Sequence, residues 1–215
     1  IPSVNGVALC VEAYRRGLLD RGHEVHVFAP CRPEYDTSQD PPDVFRFPGL
    51  PAPGDWDYDV ALPFSRPVME KLLRVPYDII HTQHPFWVGV WGAWFARWAD
   101  VPLVSTAHSN YELYTSVLPL PDRVMRAYIR ARVATYFNRC HAVTVPVQTA
   151  KDRLDALGVT APIEFLPNPI YLEASIDPRP EMVRARHGIP QGAFLMGSIC
   201  RLAPEKNLTV VLQAA

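Results

Sequence analysis

No run in this 215-residue chain approaches the roughly 18 to 20 uninterrupted apolar residues of a membrane-spanning helix, and no charged-apolar-small leader opens it. A cytoplasmic location is therefore the expectation. Charge of one sign is also lacking: 21 Lys and Arg against 22 Asp and Glu leave a net charge of −1, which gives nucleic acid no whole-surface attraction. The four cysteines, Cys10, Cys31, Cys140 and Cys200, form no C-x-x-C pair, so neither a zinc knuckle nor a disulfide framework is indicated, and they read as small buried thiols. No G-x-G-x-x-G with a downstream acidic residue occurs, which removes a dehydrogenase. Nor does an apolar strand precede Ile1-Pro-Ser-Val-Asn-Gly6, so the chain reads as a fragment whose first central strand is missing.

What the chain does have is a regular alternation of elements. Val7, Val11, Tyr14 and Leu18 recur at helical spacing over 7–21, and Gly22 ends that helix. A strand is expected at 24–29. Residues 30–66 carry many of the 23 prolines, which predicts a long ordered loop with one short strand at 44–47. The pattern then turns regular: helix 68–74, strand 79–82, helix 88–99, strand 103–106, helix 121–138, strand 142–146, helix 148–157 and strand 163–166. Such alternation predicts an α/β fold, a parallel sheet with helices on both faces, over residues 1–170. A linker at 171–192, with one short helix at 181–187, is expected to lead into the start of a second α/β domain at 193–215, opened by a strand at 194–198.

In an open parallel sheet, ligands lie beyond the carboxyl ends of the strands, so the residues directly after each strand carry the most information. His81-Thr-Gln-His84 follows one strand and His108-Ser-Asn-Tyr111-Glu112 the next, which aims two histidine-bearing loops at one crevice. A histidine can orient a sugar hydroxyl, donate to a phosphate oxygen or accept a proton. His81 can equally be a core or capping residue, and His84 with His108 a zinc pair, although a third plausible ligand is lacking. Asn5-Gly6 opens a helix N-terminus that suits an anion or a sugar hydroxyl, or is simply a turn. Arg201 and Lys206, five residues apart between an apolar run and a helix start, can aim two cations at one diphosphate, which suggests a nucleotide-linked substrate. Asp55-Trp-Asp57-Tyr-Asp59 has the form of a D-x-D metal motif. It lies in loop composition rather than at a strand end, so it reads as solvated carboxylates and no metal is expected.

Taken in order, Pro2-Ser-Val-Asn-Gly6-Val, Arg21-Gly-His23-Glu-Val-His-Val-Phe-Ala-Pro30, His81-Thr-Gln-His84-Pro-Phe86, Val101-Pro-Leu-Val-Ser-Thr106-Ala-His108, Tyr111-Glu112-Leu-Tyr114, Pro167-Asn168 and residues 197–207 carry a family likeness. The sequence resembles the retaining GT-B glycosyltransferases of family four, and within them the lipid glycosyltransferases related to diacylglycerol glucosyltransferases. The resemblance implies a Rossmann-like acceptor domain and transfer of a sugar from a nucleotide diphosphate to a lipid, with retention and without a metal or other cofactor. It implies donor-binding roles for Gly6, Arg201 and Lys206, a catalytic position for His108 near the reacting carbon, and acceptor-side roles for His84, Tyr111 and Glu112. Two departures stand out: Asn168-Pro169-Ile170-Tyr171 where the family commonly has Asn-Gly-Ile-Asp, and Cys200 where a glycine commonly precedes the arginine. The family's paired donor glutamates lie beyond Ala215, so this stretch alone is expected to be inactive. Mannosyl transfer from GDP-mannose is the alternative, and a non-catalytic nucleotide-binding or interaction module is the alternative from another class.

Two features bear on a membrane partner. Trp87, Trp91, Trp94 and Trp98 fall on one helical face, opposite Gly89, Ala93 and Ala96. Either the small residues pack on the sheet and leave the indoles outward, suited to a headgroup layer, or the indoles pack against a neighbouring helix. Arg123, Arg126 and Arg130 form a stripe that either holds anionic headgroups or is a solvated face. Together they suggest a lipid acceptor and a peripheral position at the inner face of a membrane.

Overall fold

The computed structural model describes residues 5–31, 34–51, 59–62, 65–111, 121–169, 179–200, 202 and 206–214. Contacts divide the chain into two units, Ile1–Tyr171 and Leu172–Ala215. The first unit runs α1 (Gly6–Leu19), β1 (Val27–Cys31), β2 (Val44–Pro51), β3 (Asp59–Ala61), α2 (Arg66–Arg74), β4 (Ile80–Thr82), α3 (Val88–Ala99), β5 (Leu103–Thr106), α4 (Asp122–Phe137), β6 (Ala142–Val145), α5 (Gln148–Leu157) and β7 (Ile163–Phe165). Strands β4-β5-β6-β7 form a parallel sheet in that order, with Thr82 opposite Ser105, Ser105 opposite Val143 and Val143 opposite Ile163. Helices lie on both faces of it: α3 and α4 meet the face of Thr82, and Tyr14 of α1 meets His81 on the other. The expected Rossmann-like α/β architecture is present.

Two parts of the expectation are corrected. A single parallel sheet was expected, yet β1-β2-β3 form a separate three-stranded sheet, and among the described residues no ladder joins β1 to β4. In that sheet β1 is parallel to β2 and β3 is antiparallel to it. The strand expected at 24–29 begins at Val27, where pairing with Val44 starts. The proline-rich segment holds far more strand than expected, because Pro48 falls at the end of the β1 ladder, where its missing N–H is not needed, and its carbonyl still accepts from Leu62 N at 2.7 Å. Residues 55–58 of the D-x-D-like stretch lie outside the described residues.

The second unit holds α6 (Pro180–His187) and α7 (Leu208–Ala214). The strand expected at 194–198 does not form there: among the described residues it has no neighbouring strand, and Phe194 is 93 % exposed. Cys200 is exposed, against the expectation of a buried thiol, whereas Cys10, Cys31 and Cys140 are buried.

The core lies on the face of the four-stranded sheet covered by α3 and α4, where Val133 and Phe137 of α4 meet Val143 and Val145 of β6 with no solvent exposure. Burying each such side chain contributes about 1.5–3 kcal/mol. A smaller cluster of Phe47, Ala61 and Val68 gathers β2, β3 and α2, and Trp91 of α3 joins it with its ring 5.7 Å from Phe47. Helix α3 thus touches both cores. It lies close on β4 because two positions have no side chain: a Cβ at Gly89 would fall 1.6 Å from the His84 carbonyl oxygen, and one at Gly92 would fall 2.6 Å from Thr82 Cγ2. Gly89→Ala is expected to cost about 1–3 kcal/mol or more, because the contact is to backbone and cannot yield cheaply. Thermal unfolding checks this, and an unchanged Tm would show that α3 is not pinned at this point.

Candidate functional site

Consecutive residues of a strand face opposite sides of the sheet, and β4 and β5 use both. On one side His81 Nε2 lies 2.7 Å from Thr106 Oγ1, which lies 2.7 Å from Thr144 Oγ1, a polar row across three strands. On the other, Thr82 Oγ1 lies 2.9 Å from Ser105 Oγ and 2.6 Å from the Tyr136 hydroxyl, which donates to the Gly89 carbonyl at 3.0 Å. Beyond the strand ends, Gln83 Oε1 lies 2.8 Å from His108 Nε2 and bridges the two histidine-bearing loops. The Gln83 oxygen accepts here when His108 carries its proton on Nε2. The backbone N–H of Phe86 donates to His84 Nδ1 at 3.3 Å, which leaves the His84 proton on Nε2 in the neutral ring. That ring packs 4.9 Å from Phe86 and 6.4 Å, edge-on, from Tyr111.

Burial pushes both His84 and His108 down to about 4, and for His84 the neighbouring His108 adds to the effect. Burial, with the neighbouring His108 adding to it, moves His81 in the same direction. At neutral pH these rings are uncharged. A neutral imidazole has one N–H and one lone pair, here already used in part by Phe86 and Gln83, and it offers a phosphate no cation. Among the described residues no group of three or more His, Cys, Asp or Glu could hold a metal ion.

The structure brings His84, His108 and Tyr111 together. Tyr111 is only 2 % exposed and sits in the core, so it supports His84 and Phe86 from behind. Gly6 opens α1, where Asn5 Oδ1 accepts from Ala8 N at 2.9 Å, and the space beside Gly6 is open. Helix α1 is held toward the same strand ends by Tyr14, 5.7 Å from His81, and by Cys10, whose thiol donates to Asn168 Oδ1 at 3.4 Å. Lys206 is exposed and belongs to the second unit, while Arg201 and Glu112 lie outside the described residues. Sequence reasoning missed Gln83, Thr106 and Thr144. The signal for Gln83 was its place as the first residue past β4. A cavity of about 70 Å³ adjoins His108, between the 107–111 loop and α5, with Arg153, Ser109 and Asn110 at its polar side and Ala150 and Leu154 at its apolar side.

A parallel sheet flanked by helices, with polar side chains gathered past its carboxyl ends, is the architecture of a Rossmann-like domain. The sequence profile of Glycosyltransferase Family 4 matches residues 4–174, and the chain belongs to that family. It is 27 % identical over 220 residues to the alpha-monoglucosyldiacylglycerol synthase of Streptococcus pneumoniae (strain ATCC BAA-255 / R6), covering 99 % of this chain and 49 % of that protein. It is 24 % identical over 229 residues to the Acholeplasma laidlawii protein of the same name, covering 100 % of this chain and 56 % of that protein. A GDP-mannose-dependent alpha-mannosyltransferase of Mycobacterium tuberculosis (strain CDC 1551 / Oshkosh) is 25 % identical over 216 residues, covering 97 % of this chain and 55 % of that protein. The chain spans about half the length of the curated relatives it matches.

The histidine environment sets a pH dependence. An unfolded histidine titrates near its ordinary value of 6.5, while folded His84 and His108 titrate near 4, so between those values the unfolded chain binds more protons. Their contribution to stability is therefore full above pH 6.5 and is lost as pH falls toward 4. Urea midpoints at pH 7.5, 6 and 5 should decrease in that order, and less steeply in His108→Ala. Midpoints that do not change over this window would contradict the neutral, buried state of the pair.

Proposed function

We propose that this chain is the acceptor-binding half of a glycosyltransferase that moves glucose from UDP-glucose to a lipid such as diacylglycerol, with retention of configuration and without a metal or other cofactor. The observation that carries the reading is the pair of neutral histidines past adjacent strand ends, with His108 hydrogen-bonded to Gln83, the residue before His84, in a chain matched along its length by proteins named alpha-monoglucosyldiacylglycerol synthase. Uncharged imidazoles hold sugar hydroxyls and leave the diphosphate to the cations. His108 is assigned to the donor sugar near the reacting carbon, and Gly6, Arg201 and Lys206 to the diphosphate, where the two cations offset the charge that develops on the departing UDP. His84, Tyr111 and Glu112 shape the acceptor side, Tyr111 through packing.

A lipid acceptor puts the protein at a membrane surface, and among the described residues no helix is long and apolar enough to cross one. The balanced charge gives no reason to invoke nucleic acid. The match to the Mycobacterium tuberculosis mannosyltransferase over 97 % of the chain supports GDP-mannose as the second donor to consider.

The test offers the intact protein UDP-glucose and GDP-mannose separately, with diacylglycerol-containing vesicles, and follows labelled sugar into the lipid fraction. Incorporation from UDP-glucose into an α-linked product is expected. Incorporation only from GDP-mannose would replace the donor, donor hydrolysis without lipid labelling would discard the lipid acceptor, and no turnover of either donor would favour a non-catalytic module.

A further inference from the structure

We propose that helix α3, flanked by α2, is the surface on which this protein docks to an anionic lipid bilayer, with the indoles of Trp87, Trp94 and Trp98 seated in the headgroup layer. The proposal deepens the lipid-acceptor reading and rests on it for the choice of partner. At about 100° per residue, Trp87, Trp91, Trp94 and Trp98 share a stripe roughly 60° wide. Trp91 packs against Phe47, and the Trp98 ring lies 5.6 Å from Phe95. Trp87, Trp94 and Trp98 are nevertheless 54 %, 58 % and 59 % exposed. Helix α3 cannot roll to cover them, because Gly89 and Gly92 press its opposite face against the His84 carbonyl and Thr82. Trp87 also sits at φ 44°, a conformation that bulky side chains rarely adopt, and its exposed indole lies three residues after His84.

The charges of the two helices fit one kind of partner. Helices α2 and α3 carry Arg66, Lys71, Arg74 and Arg97, and their one carboxylate, Glu70, is already engaged by Arg66 at 2.8 Å and Arg74 at 3.7 Å. The two helices are neighbours, since Val68 and Met69 of α2 share a cluster with Val88 and Trp91 of α3. Leu73 of α2 adds a further exposed apolar side chain. An indole suits the boundary between hydrocarbon and water because its ring is apolar and its N–H is polar, and neighbouring cations attract lipid phosphates.

The test uses the intact protein without donor sugar and vesicles of phosphatidylglycerol and phosphatidylcholine. Tryptophan fluorescence should be quenched by bromine-labelled lipid chains, and this reading is taken on the unaltered protein, so it stands even where a variant fails to fold. Trp94→Ala with Trp98→Ala should weaken vesicle partition by about a hundredfold, roughly tenfold per indole, with the unfolding midpoint and transfer to detergent-dispersed acceptor retained. Lys71→Ala with Arg97→Ala should reduce the dependence on phosphatidylglycerol. Unquenched indoles, partition unchanged by the tryptophan substitutions, or a concentration-dependent dimer that shields the indoles would each overturn the proposal. So would vesicle binding that is lost only on replacing Arg123, Arg126 and Arg130. Vesicle binding through α3 without sugar transfer would count against the lipid-acceptor reading alone, and transfer to vesicle lipid without α3 binding would count against the surface alone.

Discussion

The positions of the strand ends depend on one buried phenol. The Tyr136 hydroxyl donates to the Gly89 carbonyl at 3.0 Å and lies 2.6 Å from Thr82, which reaches Ser105 at 2.9 Å, so α4, α3, β4 and β5 meet at a single polar junction inside an apolar core. Burial pushes this phenol up to about 12, which keeps it a neutral donor at any ordinary pH. Leaving one of these groups unpaired costs about 1–3 kcal/mol, and the close approach at Gly89 admits no slack. Gln83 and His84 leave β4 just past Thr82, and His108 leaves β5 just past Thr106. Their spacing is inherited from the junction beneath them.

Electrostatics then separates what each part of the proposed chemistry can do. The histidines at the strand ends are held neutral by burial, to which His108 adds for His81 and His84, and neutral rings suit hydroxyl recognition. In the proposed reading, positive charge for a diphosphate is assigned to Arg201 and Lys206.

Much of this was legible in the sequence where period and punctuation agreed. The bounds of α3, β5 and α5 match the expected ranges, with Gly158 ending α5 at φ 91°. The prolines of 30–66 misled, because proline signals a loop unless its missing N–H falls where no ladder needs it, as at Pro48, and that depends on the partner strand. The tryptophan stripe could not be resolved from spacing alone. Trp91 joins the smaller cluster while Trp87, Trp94 and Trp98 stay more than half exposed, a difference set by where that cluster lies. The histidines were found because they follow strands, but Gln83, which holds His108 against the neighbouring loop, carries no signal in its residue type. An apolar run such as 194–198 forms a strand only beside another strand, and composition does not report the neighbour.

The central claim is that His108 faces the donor sugar at the reacting carbon. The most direct measurement is kcat and the KM for each substrate in the intact protein and its His108→Ala variant. The account predicts a fall in kcat on the order of a hundredfold with acceptor KM nearly unchanged, since a contact strengthened in the transition state is lost. A loss confined to acceptor KM would move His108 into the acceptor pocket and contradict the account.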